Sequence, residues 1–331
     1  MAFRIPELFG LDVGASTVKA VHLKKASGAY RLIGAGLCPI RPGDNPEHQH
    51  LHTVEAIREC VAAAGLEPRS AVCAVSGPDV AVRTFDFPNL TDEEVEGAVA
   101  LEASQVCPFD AQNAAIDHQV VAATPTRTRG VLAAATNGLV EARQRLVEEA
   151  GLRCGMIDIE GLALLNAFHL LVLHGKETPE RPTAHAVLNL GTDHVTLAVA
   201  SPEGIPFVRD LVLPGAAVQA QDPAASPGSW HGAMEPAWVE AMRPILDDVS
   251  KTIRFYLAQN PSLTIETVQV CGDLTASKGF VDLVKAGLHV PAAVWNPMEH
   301  VDCTLAQSGR DLAGKQGPAM ALAVGLAMRT V

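Results

Sequence analysis

Aromatic residues make up only 4% of this 331-residue chain, and cysteine never occurs as a Cys-x-x-Cys pair. The seven cysteines (Cys38, Cys60, Cys73, Cys107, Cys154, Cys271 and Cys303) are odd in number and widely scattered. Neither a disulfide framework nor a thiolate zinc site is therefore expected, and reduced, mostly buried thiols are. Basic surplus is absent too: a net charge of −12 and a pI of about 5.4 argue against a broad nucleic-acid or anionic-membrane surface, which needs clustered Lys and Arg. Small acidic ligands remain open as local partners. No stretch reaches about 18 consecutive apolar residues, and the start, MAFRIPELFG, has no long apolar segment behind a basic end, so a soluble cytoplasmic protein is expected. What is plentiful is aliphatic material. With 48% hydrophobic residues the chain can bury a large core, and its length predicts two domains or one deeply cleft body.

The first informative stretch is FGLDVGASTVKAVHL, from Phe9 to Leu23. Two apolar runs meet at Gly14, and after a second turn near Gly28 a third strand follows, which predicts a three-stranded meander. A helix is predicted over Thr53 to Gly65 and a short buried strand over Ala71 to Val75. From Val80 a compact insert is predicted: the strand VAVRTFDF, a helix capped by Thr91 with Glu94 three residues on, two strands, and a second helix ending near Gly151. CGMIDIEG and an apolar helix, LALLNAFHLLVLHG, come next. Ala186 to Ala200, AVLNLGTDHVTLAVA, then repeats the opening pattern: an apolar run, Asn189 where the first has Asp12, Gly191 where the first has Gly14, a polar tip and a second strand. Pro214 to Pro236 reads as an irregular loop. Trp238 to Asn260 is predicted helical, Thr267 to Val270 a strand, the stretch through Gly309 a loop, and Pro318 to Arg329 a helix of small residues.

A glycine at a hairpin tip exposes neighbouring backbone N–H groups, and such groups cradle phosphate oxygens. In the first loop Ser16 and Thr17 add hydroxyl donors and Lys19 a cation, while Asp12 stands where a carboxylate could hold Mg2+ through its waters. D-x-G with nearby hydroxyls is also an ordinary turn, so one hairpin alone does not decide between the two readings.

The duplication, with a strand–glycine–helix unit late in the chain, resembles the superfamily of sugar kinases, heat-shock chaperones and actin, in which two ribonuclease-H-like domains face each other. Within it the chain is similar to PilM, the actin-like, FtsA-related family of type IV pilus assembly. The likeness is carried by LDVGASTVKAV, FPNLTDEEVEGAVALEASQVCPFD, MIDIEGLALLNAF, LNLGTDHVTLAVA, DDVSKTIRFY and AMALAVGLAMR. The resemblance implies an α/β, actin-like ATPase fold with a small inserted α/β subdomain. Its expected divisions are 1–79 and 153–183 for the first domain, 80–152 for the insert, 184–316 for the second domain and 317–331 for a terminal helix packing back between them. It assigns Asp12, Gly14, Ser16, Thr17 and Lys19 to a first phosphate loop, Asn189, Gly191, Thr192 and Thr196 to a second, and Gly272 to an adenosine loop, with ATP and Mg2+ as the implied cofactors. Asp158 falls where the superfamily often orients metal-bound water, and equally reads as a cap or turn residue. The implied partner is the cytoplasmic tail of a PilN-like inner-membrane protein, lying as an extended peptide between insert and first domain and lined by Phe85, Phe87, Pro108 and Phe109. Pilus motor ATPases and further copies of the chain are further implied partners, and membrane association is expected through a partner.

Three departures stand out. Asn189 replaces an expected aspartate, which removes a negative charge from the second loop. The adenosine loop, expected as Gly-Gly, reads Cys271-Gly272-Asp273, and no Glu-x-x-Lys pair occurs in QAQDPAASPGSWHGAMEP. ATP binding is thus left open and efficient hydrolysis is not expected. The alternative is an active ATPase or small-molecule kinase, although no distinctive base or sugar-binding motif is present. Glu47 to His52, EHQHLH, reads as a loop-to-helix junction rather than a metal site, and Lys251 and Arg254 as a solvent-facing stripe.

Overall fold

A computed structural model of the chain describes residues 7–26, 28–174, 182–213, 236–303, 305 and 307–330. The opening hairpin is β1 (Leu8–Val13) and β2 (Thr17–Ala26), and β3 (Ala29–Pro39) completes the meander after Gly28, whose φ of 84° suits a residue without Cβ. Helix α1 (Pro46–Ala63) precedes β4 (Ser70–Val75). It begins seven residues before the predicted start. Asn45 caps it by accepting from the His48 N–H, Pro46 occupies the first turn, and the EHQHLH stretch lies within the helix.

The insert is β5 (Val80–Pro88), α2 (Asp92–Val106), β6 (Ala114–Ala123) and β7 (Arg127–Thr136). Its strands form a separate sheet in the order β5-β7-β6, with α2 closing a small core of Phe85, Val95, Val99, Ala103 and Leu132. The capping box of α2 is present, Thr91 and Glu94 each accepting the other's backbone N–H. Helix α3 (Asn137–Glu149), counted with the insert by the sequence reading, packs Leu139 and Val140 against the insert strands and contributes Val147 to the core beneath the first sheet.

Strand β8 (Arg153–Ile159) then returns to the first sheet and runs into α4 (Glu160–Phe168). The second unit is β9 (His185–Leu190), β10 (His194–Ala200), β11 (Pro206–Val212), α5 (Pro236–Gln259), β12 (Val268–Cys271), α6 (Lys278–Gly287) and β13 (Ala292–Val294). Apart from Pro236, which opens α5, the predicted loop from Pro214 lies outside the described residues. Past β13 the structure departs from the sequence reading. β14 (Asp302–Cys303) pairs with β3 of the first sheet, and the end of the predicted loop, residues 307–309, already belongs to a helix, α7 (Gln307–Gln316). The chain has therefore crossed back before residue 317, where the sequence reading set that return. Helix α8 (Ala321–Ala327) follows.

The two large sheets share one topology. The first runs β14-β3-β2-β1-β4-β8 and the second β11-β10-β9-β12-β13. Setting β14 aside, each is an antiparallel meander whose first strand pairs in parallel with a fourth, itself parallel to a fifth. Helices α4 and α8 lie between the sheets, in a core that joins Val21 and Val72 of one to Val187 and Ala198 of the other. Small residues make that packing close. A Cβ on Gly10 would sit 2.1 Å from the Ala323 carbonyl oxygen, and one on Gly325 would sit 2.4 Å from that of Ala163. Stacked sheets and helices at this spacing set the two hairpin tips opposite each other.

Candidate functional site at the facing hairpins

Asp12, near the end of β1, is the cross-strand partner of Lys19 in β2. The tip between them is tight: the Gly14 N–H donates to the Thr17 carbonyl at 3.0 Å. Lys19 is buried, and its Nζ lies 3.2 Å from Asp12 Oδ2 and 2.8 Å from Asp273 Oδ2. Thr17 Oγ1 donates to the same Asp273 oxygen at 2.9 Å. Ser16 Oγ meets Thr192 Oγ1 of the second hairpin at 3.0 Å. Burial alone would strip the lysine of its proton, yet the flanking Asp12 and Asp273 carboxylates hold the ammonium well above its usual range. For Asp12 the balance falls the other way. Burial, helped by the nearby Asp273 and Glu160 charges, outweighs Lys19 and pushes its carboxyl up.

Asp273 reaches the first hairpin from the second sheet. It follows Gly272, the first residue after β12, whose φ is 98°. A Cβ at 272 would lie 2.4 Å from Asn189 Oδ1 and 2.6 Å from the Leu190 backbone, so only glycine fits the turn that aims the carboxylate. The Gly272 N–H is fixed to the Pro318 carbonyl at 2.9 Å.

Behind the second hairpin Asn189 and Thr196 join a polar cluster whose other members, Glu160, Asp193, His194 and Asp210, sequence reasoning missed. Asn189 Nδ2 donates to Glu160 Oε1 at 2.6 Å, and His194 Nε2 lies 3.0 Å from Glu160 Oε2. His194 Nδ1 is 2.8 Å from Asp193 Oδ1. Thr196 Oγ1 donates to Asp210 Oδ1 at 2.7 Å, and the other Asp210 oxygen accepts from the Gly77 N–H, also at 2.7 Å. Burial would raise the Glu160 carboxyl, but His194, Asn189 and Thr196 together bring it well below the usual carboxylate range. The opposing cost of burial at His194 is overcome by Glu160 and Asp193, which hold the imidazole protonated far above its ordinary value. Ser76 Oγ also lies 3.1 Å from His194 Nε2, so Ser76, His194 and Asp193 trace the outline of a hydrolytic triad. Glu160 and Asp193 engage the two ring nitrogens and favour the imidazolium, a form with no lone pair to take a serine proton. The available sequence signal was a lone acid, Glu160, between an apolar strand and an apolar helix.

Asp158 is buried at the end of β8 and paired with Arg329, Nε to Oδ2 at 2.7 Å. The structure therefore brings Asp12, Ser16, Thr17, Lys19, Thr192 and the Gly272 turn into one cleft. It puts Asn189 against Glu160 and Thr196 one layer deeper, against Asp210. Gly191 shapes the second tip, where a Cβ would meet the His194 carbonyl oxygen at 2.8 Å. The four apolar residues expected at a partner surface are divided. Phe85 is inside the insert's own core, stacked on Phe87 at 4.7 Å, while Phe87 and Phe109 are half-buried and Pro108 is exposed.

As arranged, the cleft does not fit a bound phosphate. The hydroxyl and ammonium that would receive its oxygens are engaged by the Asp273 carboxylate, and the carboxylate that would face a magnesium ion is paired with Lys19.

Two sheets of one topology, facing hairpins and a subdomain inserted in the first unit define an actin-like ATPase fold. A family model described as type IV pilus assembly protein PilM matches residues 10–222 and 239–331, and the chain belongs to that family. Among solved structures it is similar to one titled as the PilM-PilN type IV pilus biogenesis complex, with a TM-score of 0.78 and 24% identity over 98% of each chain. A glycerol dehydratase reactivase matches with a TM-score of 0.51 and 10% identity, over 98% of this chain and 99% of that one. The ethanolamine utilization protein EutJ from Carboxydothermus hydrogenoformans matches with 0.50 and 14%, over 99% and 91%. Among the described residues, no helix is long and apolar enough to cross a membrane.

Proposed function

We propose that the chain is a platform of type IV pilus assembly that docks the cytoplasmic tail of a PilN-like inner-membrane protein and is held at the membrane by it. The observation that carries this reading is the family match, which takes in both duplicated units and the insert between them. The fold supplies a suitable seat. β8 is an edge strand of the first sheet, with Met156 40% exposed, and its Ile157 packs beside Val82 and Val131 of the insert. An extended peptide gains affinity by pairing with such an edge and specificity from flanking apolar pockets. Pro108, Phe109 and Phe87 are the proposed lining, and Phe85 supports them from within. The ATP site is read as degenerate, because Asp12 and Asp158 are both neutralised by cations and Asn189 adds no charge. Motor ATPases and further copies of the chain are natural additional partners for such a platform.

The test is a titration of a fluorescent PilN-like tail peptide into the purified protein. Binding in the micromolar range, weakened at least tenfold by Met156→Lys, is expected. A folded protein that leaves the peptide free at high micromolar concentration would overturn the reading.

A further inference from the structure

The cleft between the hairpins already holds an anionic group, and it belongs to the chain. One oxygen of Asp273 receives both the Thr17 hydroxyl, at 2.9 Å, and the Lys19 ammonium, at 2.8 Å. These are the strong side-chain donors that a phosphate at the first hairpin would use. The Asp273 side chain is short and its support is stiff: a glycine that tolerates no Cβ, an amide tied to Pro318, and a helical turn whose Thr275 hydroxyl caps the Gly272 carbonyl at 2.6 Å. Its side chain is 13% exposed and that of Lys19 is 4% exposed, so water screens the contact little. Ser16 and Thr192 close the same gap alongside.

We propose that Asp273 is a built-in occupant of the phosphate cradle, an internal carboxylate that holds the two units together and that a polyphosphate must displace in order to bind. This inference rests on the hairpins being a phosphate cradle and is independent of where a peptide tail docks. The ligand class is a Mg2+-charged nucleoside triphosphate or pyrophosphate. The single Thr17 hydroxyl proton is already given to Asp273 and the Lys19 ammonium already serves two carboxylates, so a polyphosphate gains both donors only when the Asp273 carboxylate leaves, and the bound metal offsets part of the charge that meets Asp12 and Asp273. Neutralising Asp273 removes the competitor while leaving Thr17 and Lys19 in place.

Calorimetric titration of the full chain with Mg-ATP, and separately with Mg-pyrophosphate, tests this. The wild-type protein is expected to bind at millimolar concentration or not at all, and Asp273→Asn to bind at least tenfold more tightly. Lys19→Met in the Asp273→Asn background should abolish the gain. Asp273→Ser serves as a second neutral variant should Asp273→Asn fail to fold. A folded neutral variant that binds no more tightly than wild type overturns the proposal, and so does a gain that survives the loss of Lys19. Tail-peptide binding measured on the same samples separates the two readings. A peptide that binds while Asp273 variants gain nothing sinks only the internal anion, and the reverse pattern sinks only the docking platform.

Discussion

Asn189 is the residue whose identity the site explains most directly. Its amide N–H is 2.6 Å from the buried Glu160 carboxylate, a contact an aspartate could make only by taking a proton. Asn189→Asp would set two carboxylates in one buried pocket, and it is expected to cost about 3–5 kcal/mol at pH 8. The loss should shrink toward pH 5, where one proton can be shared between them. Urea unfolding at the two pH values measures this, and an equal loss at both would contradict it. Gly272 is as narrowly determined. With φ of 98° and no room for a Cβ, Gly272→Ala is expected to destabilise by about 2–4 kcal/mol and to misaim Asp273, which thermal unfolding and the Mg-ATP titration would report together.

At the scale of elements, local chemistry and packing set boundaries differently. Thr91 caps α2 by a motif readable in four residues, and Thr91→Ala should cost about 1 kcal/mol. Its effect should appear as faster amide exchange at the start of α2, with the exchange of β1 unchanged. Helix α8 is decided by packing. Its small residues let it approach β1 and α4 so closely that Gly325→Val would drive methyl groups into the Ala163 carbonyl. A loss of about 3 kcal/mol or more is expected from overpacking there, and a Tm within a degree of wild type would refute the close approach. Helix α1 shows the limit of periodicity: its first two turns are mostly polar and bury no residue, so the apolar stripe begins only near Thr53 although the cap at Asn45 begins the helix earlier.

The whole molecule is two copies of one sheet held together by helices at the centre and polar contacts at the cleft. Glu160 from the first unit and His194 from the second form one charged contact of that junction, beside Lys19 and Asp273. Glu160 titrates below its ordinary value of 4.5 and His194 above its ordinary 6.5. The carboxylate's contribution is present above 4.5 and is lost as pH falls through its lowered value. That of the imidazolium is present below 6.5 and is lost as pH rises through its raised value. The pair therefore contributes fully between about pH 4.5 and 6.5 and less on either side. His194→Gln should flatten the decline in stability above pH 6.5, as measured by denaturant midpoints from pH 6 to 9. An unchanged slope would show that the junction does not depend on this pair.

Much of the architecture was legible in the chain because its signals are local and repeated. Strand alternation, glycine at two hairpin tips, a capping box and the same three-strand pattern occurring twice gave the elements and the duplication, the resemblance to a known family gave the actin-like α/β fold with its insert, and the loop residues Asp12, Ser16, Thr17 and Lys19 could be named from their spacing. The partners of those residues could not. Asp273 lies 254 positions from Lys19, and Glu160, His194 and Asp210 carry no motif that marks them. The return of β14 to the first sheet, a two-residue pairing, is too short for any periodicity to reveal. Which charge meets which depends on how two sheets, each complete in itself, settle against α4 and α8, and that is a matter of long-range packing. The sequence by itself determined most of the elements and the donors of the cleft; only the tertiary structure decided that an aspartate from the opposite unit would fill it.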